Sequence, residues 1–406
     1  MGQLCRVDRV RKQSALLVAQ PILLPMRRTW FVFLAVIALN VFIAFVSGQA
    51  SSQSVPAIWQ MQDSGTDAGL RGIFSVDGTV AWASGTGGTV LRTIDGGAHW
   101  QHCAIPDEKK DGATLDFRGV QAWDADTAIV MASGPGEKSR LYKTTDGCGT
   151  WKLILKDRDK EGFWDAIFFD RDRWGWLLGD PVKGMFVLYS SDDKGKTWTR
   201  QINEGLRADP KLQGAFAASN SSLFASAGFV VFGSGGSGGA KAYEVVSVMI
   251  CVDECPSADQ NLDGRKNKWR QIDVPVGQDS TSSGIFAIGS RKTMQLPSFA
   301  SHALIAVGGD YTKSNDSTGT AAYSLDGGKH WTASTKPPHG YRSTVQWSEQ
   351  LHAWITAGTN GSDISRDDGK TWQPLDNGNW NALSLPFIVG PKGRIAKLNS
   401  AALPKL

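Results

Sequence analysis

One eight-residue pattern, Ser/Thr-x-Asp-x-Gly-x-x-Trp, recurs along this chain and limits its possible folds more than any other feature. Intact copies run from Thr93 to Trp100 around Asp95, from Ser191 to Trp198 around Asp193, from Ser324 to Trp331 around Asp326, and from Ser365 to Trp372 around Asp367. A fifth, around Asp146 and ending at Trp151, carries Cys148 where the others have Gly. A sixth is degenerate, with Asn261, Asp263, Gly264 and Trp269 spread over one extra residue. The pattern makes local sense as a hairpin turn: the carboxylate accepts backbone N–H groups, the hydroxyl adds a bond, Gly supplies positive φ and Trp wedges into the sheet packing.

Self-similarity at such a period is the mark of a repeat architecture. Before each copy stand short strand-like runs, for example Arg71-Gly-Ile-Phe, Val80-Ala-Trp-Ala-Ser-Gly and Val90-Leu-Arg. Units of four strands begin near Leu70, Phe117, Phe163, Ala215, Ser282, Tyr341 and Trp380, and the last lacks its closing strand. Ile58-Trp59-Gln60-Met61 resembles the strand that follows each turn. The expectation is an all-β fold, a seven-bladed β-propeller over residues 51–406 whose N-terminal strand completes the last blade and removes an exposed edge. Six blades is the alternative count. The Gly-Ser run Gly233–Gly239 is expected to be a mobile face loop rather than a domain boundary.

Residues 1–50 read as a leader. An apolar stretch from Trp30 to Val46 follows Arg27-Arg28 and precedes the small residues Ser47–Ala50, the order of a secretory signal peptide, with an uncleaved membrane anchor as the alternative. Met26 would begin a signal of ordinary length, which would leave Cys5 outside the protein. The expected location is periplasmic or otherwise extracytoplasmic. Residues 1–28 hold six basic residues against one acidic, so the other 37 basic and 38 acidic residues leave a net charge of −1. That excludes charge-driven nucleic-acid binding as a default. After export Cys103, Cys148, Cys251 and Cys255 remain; Cys251 with Cys255, and Cys103 with Cys148, form one possible set of bridges, and the pairing stays open.

In a propeller the first strand of each unit lines the central channel, and the turns described above lie on the face opposite the starts of those strands. Aligning unit starts brings Arg71, Arg118, Trp164-Asp165, Phe216, Ser283, Arg342 and Asn381 to one channel mouth, so three arginines converge. Neighbouring loops add Asp180, Asp310, Tyr311, Asp363 and Arg394. Guanidinium forks in such a cluster suit carboxylates, phosphates or acidic side chains of a partner, whereas single Arg–Asp pairs would merely stitch blades together. Asp259-x-Asn261-x-Asp263-Gly264 opens like a calcium loop, but Arg270 stands where a bidentate Glu is needed, so no metal and no cofactor is expected. His99 and His330 lie within the repeated turns and read as surface residues, and Tyr243-Glu244 on one strand point to opposite faces.

The repeated turn is the Asp-box, or BNR, motif, and with the unit count and leader the chain resembles the photosystem II stability/assembly factor family over roughly residues 55–400. Phe163-Trp-Asp-Ala-Ile-Phe-Phe, Gly179-Asp-Pro-Val, Phe216-Ala-Ala-Ser-Asn220, Ser283-Gly-Ile-Phe, Gly308-Gly-Asp-Tyr311 and Gly340-Tyr-Arg-Ser are closest to its bacterial BNR-repeat relatives. The resemblance implies an exported, non-enzymatic, monomeric propeller that aids the assembly or stability of a membrane complex. It would bind a subunit of that complex through an arginine patch, for which Arg71, Arg118 and Arg342 are the positional candidates. A sialidase-like glycoside hydrolase or acidic-glycan-binding propeller is the alternative. Sialidases share the Asp-box and bind a carboxylate with three arginines, but their Phe/Tyr-Arg-Ile-Pro motif is missing and no Tyr/Glu nucleophile pair with an Asp acid stands out.

Overall fold

The computed structural model describes residues 57–404 apart from 108, 171–172, 227–228, 247–268, 278–279 and 293–301. The leader, the Cys251–Cys255 loop and most of the degenerate sixth turn lie outside the described residues. Among the described residues no helix is long and apolar enough to cross a membrane.

Seven four-stranded antiparallel sheets follow one another along the chain. The first is Leu70–Ser75, Ala81–Gly85, Val90–Thr93 and Gln101–His102, in that spatial order. The next five repeat it. The last runs Ala382–Ser384, Phe387–Val389, Ile395–Leu398 and then Trp59–Gln62, which pairs from Trp59 opposite Leu398 to Gln62 opposite Ile395. The N-terminal strand thus closes the ring as expected, and the fold is an all-β seven-bladed propeller. Trp59 anchors the closure: it is buried, its Nε1 donates to Ser362 Oγ of blade six at 2.9 Å, and its ring lies 6.1 Å from that of Trp380.

The second strand of each blade explains why these runs are apolar without alternation. Ala128–Ala132 and Ala353–Gly358 are buried at every position, because a blade packs against a neighbour on both faces. Outer strands such as Gln101–His102 are short and exposed, which blunts the rim as a pairing edge.

The repeated turns share one hydrogen-bond scheme. Thr93 Oγ1 donates to Asp95 Oδ1 at 2.8 Å, Gly97 N donates back to that hydroxyl at 2.9 Å, and His99 N donates to Asp95 Oδ1 at 3.0 Å. Equivalent bonds surround Asp146, Asp193, Asp326 and Asp367. The hydrogen bonds of His99 hold the Asp95 carboxyl well below its ordinary value. Trp100 and Trp372 are buried beneath their turns, and the indoles of Trp151, Trp198 and Trp331 are partly covered. In the fifth copy Cys148 takes the left-handed position, at φ 71°, that Gly97, Gly195, Gly328 and Gly369 fill elsewhere. A side chain is costly there. Its sulfur is bonded to Cys103, so the residue that breaks the pattern is the one that joins blade two to the outer strand of blade one.

Blade four departs from the repeat. Gly214 and Gly235 exchange both backbone hydrogen bonds at 3.0 Å, as a unit starting near Ala215 requires, but the first strand forms only at Leu223–Ser226. The extra residues 217–221 run into the central channel. There Arg118 Nη1 donates to Ala217 O at 3.2 Å, Ile167 N to Asn220 Oδ1 at 2.8 Å and Ile288 N to Ser221 O at 2.8 Å, while Ser219 Oγ donates to Ser343 O. One short insertion therefore ties blades two, three, five and six across the channel. The Gly-Ser run follows on the same face, joining Phe229–Gly233 to Lys241–Val246 within one sheet.

Candidate functional site

Antiparallel strands put the start of each first strand and the loop between the second and third strands on one face, and the repeated turns on the other. On that first face four of the first strands carry a bulge, between Leu70 and Gly72, Phe117 and Gly119, Trp164 and Ala166, and Ile285 and Ala287. A bulge re-aims the extra residue. The extra residues are Arg71, Arg118, Asp165 and Phe286.

Arg71 and Arg118 share one carboxylate. Arg118 Nε donates to Asp116 Oδ2 at 2.8 Å, and Arg71 Nε lies 3.2 Å from Asp116 Oδ1, within ion-pair range but outside hydrogen-bond alignment. Their side chains remain 33% and 27% exposed, so two guanidiniums with one counter-ion face the mouth. Burial pulls the Arg71 pKa below its ordinary value, against the raising effect of Asp116. Arg118 also sits 5.9 Å from the Phe163 ring.

Arg342 does not join them. Its backbone N–H bonds Gly308 O of the preceding blade at 2.9 Å, as Leu70 bonds Gly390 O, Ile285 bonds Ser234 O and Trp380 bonds Gly358 O. Arg342 is therefore the counterpart of Leu70, one residue before the outward position, which in blade six is Ser343. A slip of one residue along a strand turns the side chain to the other face. Arg342 is fully buried; Nε donates to Asp363 Oδ2 at 2.7 Å, Nη2 bonds the same oxygen, and Nη1 donates to Tyr341 O and Asn360 Oδ1. Asp363, also fully buried, accepts further bonds from His339. This pair stitches blade six together. The same register replaces Ser283 by Phe286 in blade five.

The remaining expected residues are dispersed around the mouth. Asp310 is buried; hydrogen bonds from Thr312, Ser282 and Ser280 outweigh its burial and hold it down at about 2. Tyr311 beside it is 53% exposed. Arg394 lies over the Trp380 ring at 4.6 Å. Asn381 donates to Leu70 O at 2.7 Å, linking blade seven to blade one. Asp180 lines a cleft of about 460 Å³ with Phe216, and Asp165 is buried behind it.

Several residues at this mouth escaped the sequence reading. Asp116, one position before its first strand, orders both arginines. Phe286 stacks on Phe216 with ring centres 3.9 Å apart and meets Tyr341 edge-on at 4.8 Å and Tyr311 at 6.1 Å. The signal that would have found Phe286 is Ile285-Phe286-Ala287 aligned with Leu70-Arg71-Gly72. Among the described residues no group of three or more His, Cys, Asp or Glu is arranged to hold a metal ion.

A closed ring of seven antiparallel blades, with a charged and aromatic mouth opposite its Asp-containing turns, places the chain among seven-bladed β-propellers. Two solved structures share that fold across their whole length. One is YCF48 bound to D1 peptide, at 17% identity and TM-score 0.53, covering 86% of this chain and 100% of that one. The other is YCF48 from Cyanidioschyzon merolae, at 18% identity and TM-score 0.54, covering 85% and 100%. A GH74 xyloglucanase from Xanthomonas campestris overlaps with TM-score 0.34, too low to bear on function. No family model matches the chain, and no curated protein does.

Proposed function

We propose that this chain is an exported propeller that docks a segment of a protein partner at the channel mouth and serves, like an assembly or stability factor, a membrane complex to which that partner belongs. The observation that carries the proposal is the sharing of Asp116 by Arg71 and Arg118. Three groups with a net positive charge, partly exposed at the rim of a channel that residues 217–221 bridge, favour an acidic side chain or terminal carboxylate arriving from outside. The exposed Tyr311 and the aromatic group beneath it offer apolar contact on the same face, the mixture typical of protein interfaces. Likeness in fold to YCF48, one structure of which holds a D1 peptide, supports a protein ligand. The apolar stretch from Trp30 to Val46 supports export, with the membrane reached only through that stretch if it stays uncleaved.

The sialidase-like alternative loses its main support here. Its carboxylate clamp needs three converging arginines, and Arg342 is committed to Asp363 inside blade six.

The test is affinity capture from native membranes and periplasm, comparing wild type with Arg71→Glu/Arg118→Glu. A membrane-complex subunit retained by the wild type alone is the expected result. Equal recovery by both forms, or no partner for either, would overturn the proposal.

A further inference from the structure

A second set of charges at this mouth is not used by the arginine pair. Asp165 holds in blade three the bulge position that Arg71 and Arg118 hold in blades one and two, yet it is only 1% exposed and its Oδ2 has no hydrogen-bond partner. The Asp180 carboxylate, close enough for its charge to act on Asp165, accepts a bond from Ala215 N at 2.9 Å and lines the cleft between blades three and four. Among the described residues no cation lies within ion-pair distance of either carboxylate. Arg118, whose charge reaches Asp165, spends Nε on Asp116 and Nη1 on Ala217 O, and Lys183 and Lys211 line the cleft without pairing with either carboxylate.

A buried oxygen without a donor is costly, and a second carboxylate beside it makes it more so. An arriving cation would supply both the missing donor and the missing charge. The cleft, about 460 Å³, exceeds what a bare ion needs; Phe216, Pro181 and Pro210 wall it, and the exposed Glu161, Lys183 and Lys211 stand in its lining with charges free to turn to solvent. Such walls suit the apolar stem of a basic side chain whose charged head goes deeper.

We propose that this cleft is a subsite for one lysine or arginine side chain of the docked segment, with Asp180 as the first carboxylate it meets and Asp165 as the buried counter-ion behind. The proposal rests on the docking reading above and adds a requirement to it: the partner segment carries a basic residue at a fixed distance from its acidic anchor. Burial pushes Asp180 up to about 6, and burial together with Asp180 pushes Asp165 well above the ordinary carboxylate range.

The full chain is to be probed with an array of random synthetic peptides with free C-termini, and the best binders remade with norleucine or citrulline at each basic position. The expected result is a Lys or Arg at constant spacing from an acidic group, whose replacement weakens wild-type binding about tenfold or more, one charge-assisted contact. Asp180→Asn, which keeps the acceptor for Ala215 N, should bind the basic and neutral peptides alike, as should Asp165→Asn if its melting curve shows it folded. Binders with no basic preference, or a replacement that weakens wild type and Asp180→Asn equally, would overturn the subsite and leave the docking reading intact. Failure of the wild type to bind any peptide would overturn both.

Discussion

Replacing Asp180 by Asn should stabilise the folded protein at neutral pH and leave it unchanged in acid. The Asp180 carboxyl is raised by burial from 3.8 to about 6. Between those values the folded state holds a proton that the unfolded state has released, so wild-type stability falls as pH rises through the window. The contribution is fully present below about pH 4 and lost above about pH 6. The shift corresponds to at most about 3 kcal/mol, which for a domain of roughly 350 residues is about 4 °C in melting temperature. Asn has no proton to hold and retains an oxygen for Ala215 N. Urea unfolding of both proteins at about pH 4 and pH 7.5 measures the difference directly, and the comparison cancels the opposite pH dependence of the low-pKa turn aspartates such as Asp146, held at about 2 chiefly by its Thr150 hydroxyl and backbone bonds. An Asn gain of equal size at both pH values would refute the reasoning, as would its absence at pH 7.5.

Arg342→Ala should cost about 3–5 kcal/mol, because it leaves Asp363 charged and buried, whereas the partly exposed Arg71→Ala should cost less than about 1 kcal/mol; denaturant titrations of the two distinguish a buried stitch from a surface group. Removing Cys103 and Cys148 together, as Ser, should cost about 4 kcal/mol through the entropy of a 45-residue loop, readable as a lower urea midpoint in the non-reduced protein only. Trp59→Ala should cost about 3–5 kcal/mol and expose blade seven to limited proteolysis, since the ring closes on that side chain.

The blades were legible in the sequence because their signals are local. A turn that satisfies its own hydrogen bonds within seven residues, as around Asp95, declares itself wherever it stands, and the strand missing after Ile395–Leu398 pointed to Trp59–Gln62. The site was less legible because it depends on register and on contacts across the ring. Arg342 and Ser343 differ by one position, which decides between a buried ion pair and the mouth, and the Gly-Ile-Phe run shared by 72–74 and 284–286 aligns Ser283 with Arg71 and so hides the bulge that turns Phe286 outward. Residues 217–220 stood in the sequence only as part of the motif Phe216-Ala-Ala-Ser-Asn220, with nothing to show that they cross the channel. Their role comes from partners more than fifty residues away, such as Ile167 and Ser343. Asp116 went unnoticed because it stands outside the strand pattern it serves.

Docking at the channel mouth sets Tyr311, and not the repeated turns, against the partner. A photo-reactive residue placed at Tyr311, 53% exposed at the mouth, is to be compared with one at Ile94, 58% exposed among the turns of the opposite face, by cross-linking in the native membrane fraction. Cross-links to a membrane-complex subunit from position 311 and none from 94 are predicted. The reverse, or equal yield from both faces, would contradict it.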